Sequence, residues 1–302
     1  MIRRRHYDEM YAGLSEPMAV PMRGRSLVTA PSYVGPLDLI GSGTVLQAVS
    51  ARRQLRSAYA GPLARLRESG ANTEQDFSPA AGLWPAATAA SFIGANSGFY
   101  AKLYDQSGNG FDPAQGTTAR QPGYAAAGLS GGAALSFDGV NDSLDYNFSP
   151  QIAATDAWAL IVAARGTLVQ YHALYSFSTD GFYAWHGAGG GELFINAGTF
   201  LLNTNGGSAS RPTPSTNVPF YASVRTTTGK VFGVNGSEAG ATGTGSWAID
   251  RMSLGGRLGP SGALGPDVWI GHIVEAYFFT VAPGSGDRAA LIADVVSFYG
   301  LS

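Results

Sequence analysis

Between Gly98 and Thr280 the chain never runs far without a turn residue. The segments GFYAKLYD, AALSFDG, DSLDYNF, AWALIVAAR, ALYSFST, FYAWHG, ELFINAG, PFYASVRTT, KVFGVNG, RMSLGGR and VWIGHIVEAYFFT are short and rich in aromatic and β-branched residues. Gly, Asn, Asp and Pro separate them at intervals of 8 to 15 residues. Punctuation of this kind forbids long helices. About eleven such strands predict an all-β fold, a two-sheet antiparallel sandwich. The 42 glycines and an aromatic content of 11% fit tight turns around a core filled by rings. No fixed-period repeat is visible.

Helical spacing is confined to the flanks. TVLQAVSARRQLRSAYA, residues 44 to 60, places Val45, Leu46, Val49, Leu55 and Ala58 along an approximate helical stripe with arginines opposite, and predicts a helix. GPLARLRES reads as a short strand after a Gly-Pro turn. A short helix is expected around Ala86 to Phe92. GDRAALIADVVSFYG predicts a closing helix with Leu291, Ile292, Val295, Val296 and Phe298 on one side.

Residues 1–40 differ from the rest. They hold four of the five methionines, and Pro17, Pro21, Pro31 and Pro36 interrupt any long helix or central strand. This predicts an extended arm, with one short helix near Tyr7 to Leu14, attached to a domain spanning 41–302. Arg3, Arg4, Arg5, Tyr7 and Tyr11 are its candidate contacts with a partner, and a solvated basic tail is the plainer alternative.

Composition excludes several classes. Cysteine is absent, so disulfide frameworks and thiolate metal sites are out. A net charge of −2 gives no general nucleic-acid footprint. No apolar run approaches the length of a membrane-spanning helix, so membrane insertion is not expected. The basic start lacks the apolar stretch of a signal peptide, which predicts synthesis in a cytoplasm. The histidines His6, His172, His186 and His272 show no zinc spacing. GAGGG lacks the Lys and helix start of a phosphate loop, and no G-x-S-x-G elbow is present.

ARRQLRSAYAGPLARLRES, GFYAKLYDQSGNGFDPAQGTTARQPGY and LSFDGVNDSL, in this order, resemble the catalytic-domain fold of the arabinofuranosidase B family. They also resemble laminin-G-like, concanavalin A-like jelly-roll modules of bacteriophage virion proteins. GHIVEAYFFT followed by GDRAALIADVVSFYGLS is similar to the last strand and terminal helix of those modules. The resemblance covers roughly residues 43 to 302. It implies a jelly-roll sandwich with short helices before the first long strand and a C-terminal helix. It also implies calcium at sheet rims, for which Asp105, Asp112, Asp138 and Asp142 are the candidate ligands. For the YDQSGNG run itself, a hydrogen-bonded turn is the favoured reading over a cation site.

Activity is a separate question from fold. Most glycoside hydrolases need two carboxylates flanking the scissile bond. Among the 21 acids only Asp138 and Asp142 stand four residues apart, and they lie in a turn sequence. E-x-D-x-E is absent. Glu192, Glu238 and Glu275 are spare acids on separate strands. Glu275 is expected to share a face with Trp269, Gly271 and Ile273, and an ion pair with an arginine is its plainer role. No residue-by-residue match to the family's nucleophile or acid/base is found, so no catalytic residue is carried over. Tyr183, Trp185 and His186, beside a glycine run, and Trp269 are candidate sugar-stacking residues, with core packing the alternative for Trp185.

These features predict a non-enzymatic, homo-oligomeric virion structural protein, a capsid decoration, head-fibre or tail-fibre component. Its arm would bind other virion proteins and its sandwich would face host surface glycans. A stand-alone carbohydrate-binding module and an arabinofuranosidase-like hydrolase are the alternatives.

Overall fold

A computed structural model describes residues 33–301, apart from 168–171, 179–190, 197–198, 205–206, 213, 226–229, 242–246 and 259–263. The attachment-arm residues Arg3, Arg4, Arg5, Tyr7 and Tyr11, and Tyr183, Trp185 and His186, lie outside the described residues.

In chain order the elements begin with β1 (Thr44–Ser50), β2 (Ala64–Glu68), β3 (Glu74–Phe77), α1 (Ala86–Ile93), β4 (Gly98–Leu103), β5 (Gly123–Ala125), β6 (Ala134–Asp138) and β7 (Leu144–Ala154). There follow β8 (Trp158–Arg165), β9 (His172–Ser178), β10 (Gly191–Asn196), β11 (Thr199–Thr204), β12 (Gly207–Pro212), β13 (Pro219–Arg225), β14 (Lys230–Val234) and β15 (Ser237–Ala241). The chain closes with β16 (Trp247–Leu254), β17 (Gly256–Leu258), β18 (Leu264–Val268), β19 (Ile270–Val281) and α2 (Ser285–Tyr299).

The strands form two large antiparallel sheets and a small hairpin. One sheet of eleven strands runs β15-β14-β13-β8-β19-β6-β5-β4-β2-β3, with β1 also paired to β19. The other runs β12-β11-β10-β9-β16-β7, and β17 pairs with β18. β19 is the hub of the larger sheet. β8 accompanies it from Gly271 to Phe279 on one edge. On the other edge β6 covers Ile270–Ile273 and β1 covers Glu275–Val281.

Two apolar layers explain this arrangement. Leu135, Ile161, Phe220, Ile273 and Phe278 of the larger sheet pack against Leu144, Phe148, Ile249, Met252 and Leu254 of the smaller one. On its reverse face the larger sheet buries Leu160, Val162, Val274, Tyr277 and Phe279 under Leu291, Val295 and Tyr299 of α2. β8 therefore has apolar neighbours on both sides, which is why WALIVAAR is a continuous apolar run and not an alternating one. The fold is an all-β sandwich with a helix laid on one outer face.

Two expectations fail, each for a physical reason. Residues 44–50 form a strand and not a helix. β1 also faces both layers, with Leu46 and Val49 in the inter-sheet core and Ala48 beneath α2. A strand buried on both faces loses its two-residue alternation, and its apolar positions then imitate a helical stripe. Arg53, expected on a solvated helix face, is 3% exposed. The compact unit also starts earlier than residue 41. The chain divides at Ser32/Tyr33, because Leu37 is buried and its N–H donates to Leu55 O at 2.8 Å. Asp38 accepts from Gly35 N and Ser57 N.

Candidate functional site

The YDQSGNG run is a knot that ties β4 to β1. Asp105 Oδ1 accepts from Ala48 N and Ser107 N, both at 2.9 Å. Its Oδ2 accepts from the Ser107 hydroxyl at 2.6 Å and from Phe111 N at 3.1 Å. A carboxylate has about four acceptor positions, and all of them are taken. Gln106 receives Leu55 N at 2.7 Å, and Asn109 donates to Val45 O and Leu46 O. Gly108 and Gly110 hold positive φ values of 99° and 75°, which a glycine adopts without strain.

The calcium set is therefore corrected. Asp105 has no lone pair to spare, and Asp112 accepts from Asp105 N and pairs with Lys102. Asp138 caps Val140 N, while Asp142 accepts from Asp138 N, so this second pair closes the β6–β7 turn. Among the described residues, no three His, Asp or Glu side chains stand together as a metal site.

Glu275 is also displaced from its expected face. A bulge lies between Ile273 and Glu275 in the pairing with β8. It leaves Ile273 in the inter-sheet core and turns Glu275 towards α2 beside Tyr277. There Arg53 grips it with two hydrogen bonds, Nε to Oε2 at 3.0 Å and NH2 to Oε1 at 2.8 Å. Ser50 Oγ donates to Oε2 at 3.1 Å, Tyr299 OH to Oε2 at 2.8 Å and Tyr277 OH to Oε1. Arg53 also lies 2.7 Å from Asp294 and stacks over Phe298 at 4.1 Å. Burial pushes the Glu275 pKa up, but the Arg53 charge and these donors outweigh it and hold the carboxyl below its ordinary value. At 1% exposure Glu275 has no route to a substrate.

Other acids are less constrained. Glu74 and Asp76 stand two residues apart on β3, a strand-spaced pair that the sequence search passed over. Asp76 is held by Arg65 at 2.7 and 3.0 Å and by Tyr104 OH at 2.8 Å. Glu238 is exposed on β15 opposite Gly233, and Glu192 has the register position opposite Ser176. Asp142 and Asp145 are weak acids. Burial pushes Asp142 up to about 6 and raises Asp145, whose Oδ2 accepts from Ser143.

Trp269 is corrected as a stacking residue. It is 0% exposed and packs edge-on against Phe220 with centroids 6.4 Å apart, so neither ring face meets solvent. His272 lies opposite Ser136 in register, and burial lowers its pKa.

The structure adds an open groove that the sequence reading did not single out. It has a volume of about 580 Å³ and runs between the C-terminal end of α1 and β4–β5, with Ser136 of β6 at its floor. Gly94 ends α1, its N–H donating to Ala90 O, at a φ of 59° that favours glycine. Phe99 and Tyr124 are the aromatic residues beside it, and Arg67 lies 4.6 Å over the Phe99 ring. Arg67 is itself fixed by Gln121 and Asn72. The signal in the sequence was the pair Phe99-Tyr100. On a strand adjacent side chains oppose each other, and Tyr100 is fully buried in the inter-sheet core, leaving Phe99 for the outer face.

No protein-family model matches the chain, and no curated protein sequence matches it. Solved structures do. A GH54 α-L-arabinofuranosidase soaked with a cyclic sulfate inhibitor superposes with a TM-score of 0.68 at 15% identity. An arabinofuranosidase complexed with arabinofuranosyl-α-1,2-xylobiose gives 0.65 at 16% identity. In both cases the match covers 87% of this chain, and this chain spans 65% of the other's length. The likeness establishes a shared β-sandwich fold.

Proposed function

We propose that this chain is a carbohydrate-binding β-sandwich that recognises glycans without cleaving them. The observation that carries the reading is a contrast. The fold match to an arabinofuranosidase covers 87% of this chain, yet the carboxylate on its central strand, Glu275, is sealed beneath α2. The acid at the centre of the larger sheet is thus structural in this chain. The test is a glycan-binding screen of the full chain run beside an assay with 4-nitrophenyl α-L-arabinofuranoside. Saturable binding without release of nitrophenol is expected, and turnover overturns the reading.

Within this reading the domain is the displayed part of a bacteriophage virion protein that self-associates, with the N-terminal arm as its tether. Support comes from the arm's Met- and Pro-rich sequence and from the resemblance to virion modules. Full chain and a version starting at Tyr33 are compared by solution mass. A defined oligomer that becomes a folded monomer on truncation is expected, and two monodisperse monomers overturn the tether.

One observation favours the hydrolase alternative. Asp142, titrating near 6, is the kind of carboxyl that serves as a general acid. Turnover abolished by Asp142→Asn would establish that alternative.

A further inference from the structure

We infer that the groove between α1 and β5 is the glycan subsite of this sandwich, and that it takes a neutral sugar. The inference rests on the carbohydrate-binding reading and gives it a location and a ligand class.

Three properties of the groove support the assignment. The first is size: about 580 Å³ falls within the roughly 300–1,000 Å³ of small-molecule sites. The second is chemistry. Asn96, Ser97 and Ser136 present amide and hydroxyl groups around Phe99, and no charged side chain lines the opening. Sugars offer alternating hydroxyls and C–H faces, so hydroxyl and amide partners beside the Phe99 and Tyr124 rings suit them. An acidic sugar would need a cation at the wall. Arg67, whose guanidinium lies over the Phe99 ring, is committed to Gln121 and Asn72.

The third property is pre-organisation. Phe99 is braced by Arg67, which is only 5% exposed and doubly hydrogen-bonded. Asn96 is anchored through Nδ2 to Glu68 at 2.9 Å, leaving its carbonyl oxygen for a ligand. Gly123 keeps the floor open. A Cβ built there would meet only Ser136, at 3.6 and 3.7 Å, which is ordinary contact. A Cβ at 123 is therefore tolerated by the fold, and the thermal melt tests whether the longer leucine side chain is too. Ligand ordering then costs little beyond the sugar's own freedom.

The test uses the full chain and an array of neutral and acidic oligosaccharides, followed by titration of the best binder. Gly123→Leu plugs the groove, Phe99→Ala removes the ring, and thermal melts check that each variant folds. Because Phe99→Ala also exposes Arg67, Gly123→Leu is the decisive variant. Expected are selection of a neutral oligosaccharide, loss of measurable binding in Gly123→Leu with an unchanged melt, and about a tenfold weakening in Phe99→Ala. Unchanged affinity in a folded Gly123→Leu, or selection of acidic oligosaccharides only, overturns the groove while leaving carbohydrate binding intact. Binding to no oligosaccharide on the array overturns both.

Discussion

Asp105 and Glu275 are both buried carboxylates at 4% and 1% exposure, yet they are satisfied by opposite means. Asp105 takes its partners from its own loop and the neighbouring strand, and three of its four donors are backbone N–H groups. Glu275 takes its partners from side chains scattered over the sequence, Ser50, Arg53, Tyr277 and Tyr299, with a guanidinium at the centre. The first arrangement is a knot of dipoles and the second a cage around an ion pair. Losing a partner therefore has different consequences. In the knot a few hydrogen bonds go unmade; in the cage a charge is left in a place that water cannot reach.

The sharpest way to break this contrast is Glu275→Ala. It leaves Arg53 buried with only the half-aligned Asp294 beside it, and a loss of about 3–5 kcal/mol is expected in urea unfolding at neutral pH. Replacing both partners, as Arg53→Met with Glu275→Leu, should recover most of that. A single-variant cost below about 1 kcal/mol would show that the ion pair is not what makes the cage costly to break. Asp105→Asn is expected next, at about 1–3 kcal/mol, since an amide nitrogen cannot accept and at least one buried N–H is orphaned. Equal losses in the two variants would erase the distinction.

Acid titration sharpens it further. Glu275 titrates below its ordinary value, so its contribution is present above the unfolded pKa and is lost as pH falls through the folded one. Asp142 is raised from 3.8 to about 6. Its contribution is complete below the unfolded value and is lost as pH rises between those two. Stability against pH should therefore fall on both sides, and Asp142→Asn should flatten the limb between about 4 and 6. An unchanged limb would show that Asp142 is not its source. The smallest effect is expected from Arg65→Gln. The Arg65–Asp76 pair is exposed at 38% and 41%, and its loss should cost at most about 1 kcal/mol. A larger loss there would mean that ion pairing matters in this protein irrespective of burial.

The same division explains what the sequence disclosed. YDQSGNG is readable as a knot because its partners are local and its residue types are those that bond their own backbone. β4, β8, β19 and α2 are readable because their apolar patterns are long. β1 was not, since burial on both faces replaced alternation with a false helical stripe. Glu275 was placed on the wrong face because one bulge, invisible in residue types, reverses the alternation from Glu275 onward. Trp269 looked like a platform because an aromatic residue reads alike whether covered or open. The groove escaped notice because its signal was the opposite facing of Phe99 and Tyr100 and a glycine at 123, all of which read equally well as core and turn.

The place of β19 has a consequence for how the protein is made. Its partners β1, β6 and β8 are all translated before it. At about 5–20 residues per second, roughly 10–50 s pass between synthesis of Ser50 and Val281. Until β19 is made, the β19-facing edge of β1, and from its own synthesis that of β8, has nothing to pair it. The larger sheet closes only when its middle arrives late, so ribosome-bound chains ending before Ile270 should be readily digested by protease, and chains released beyond α2 should resist it.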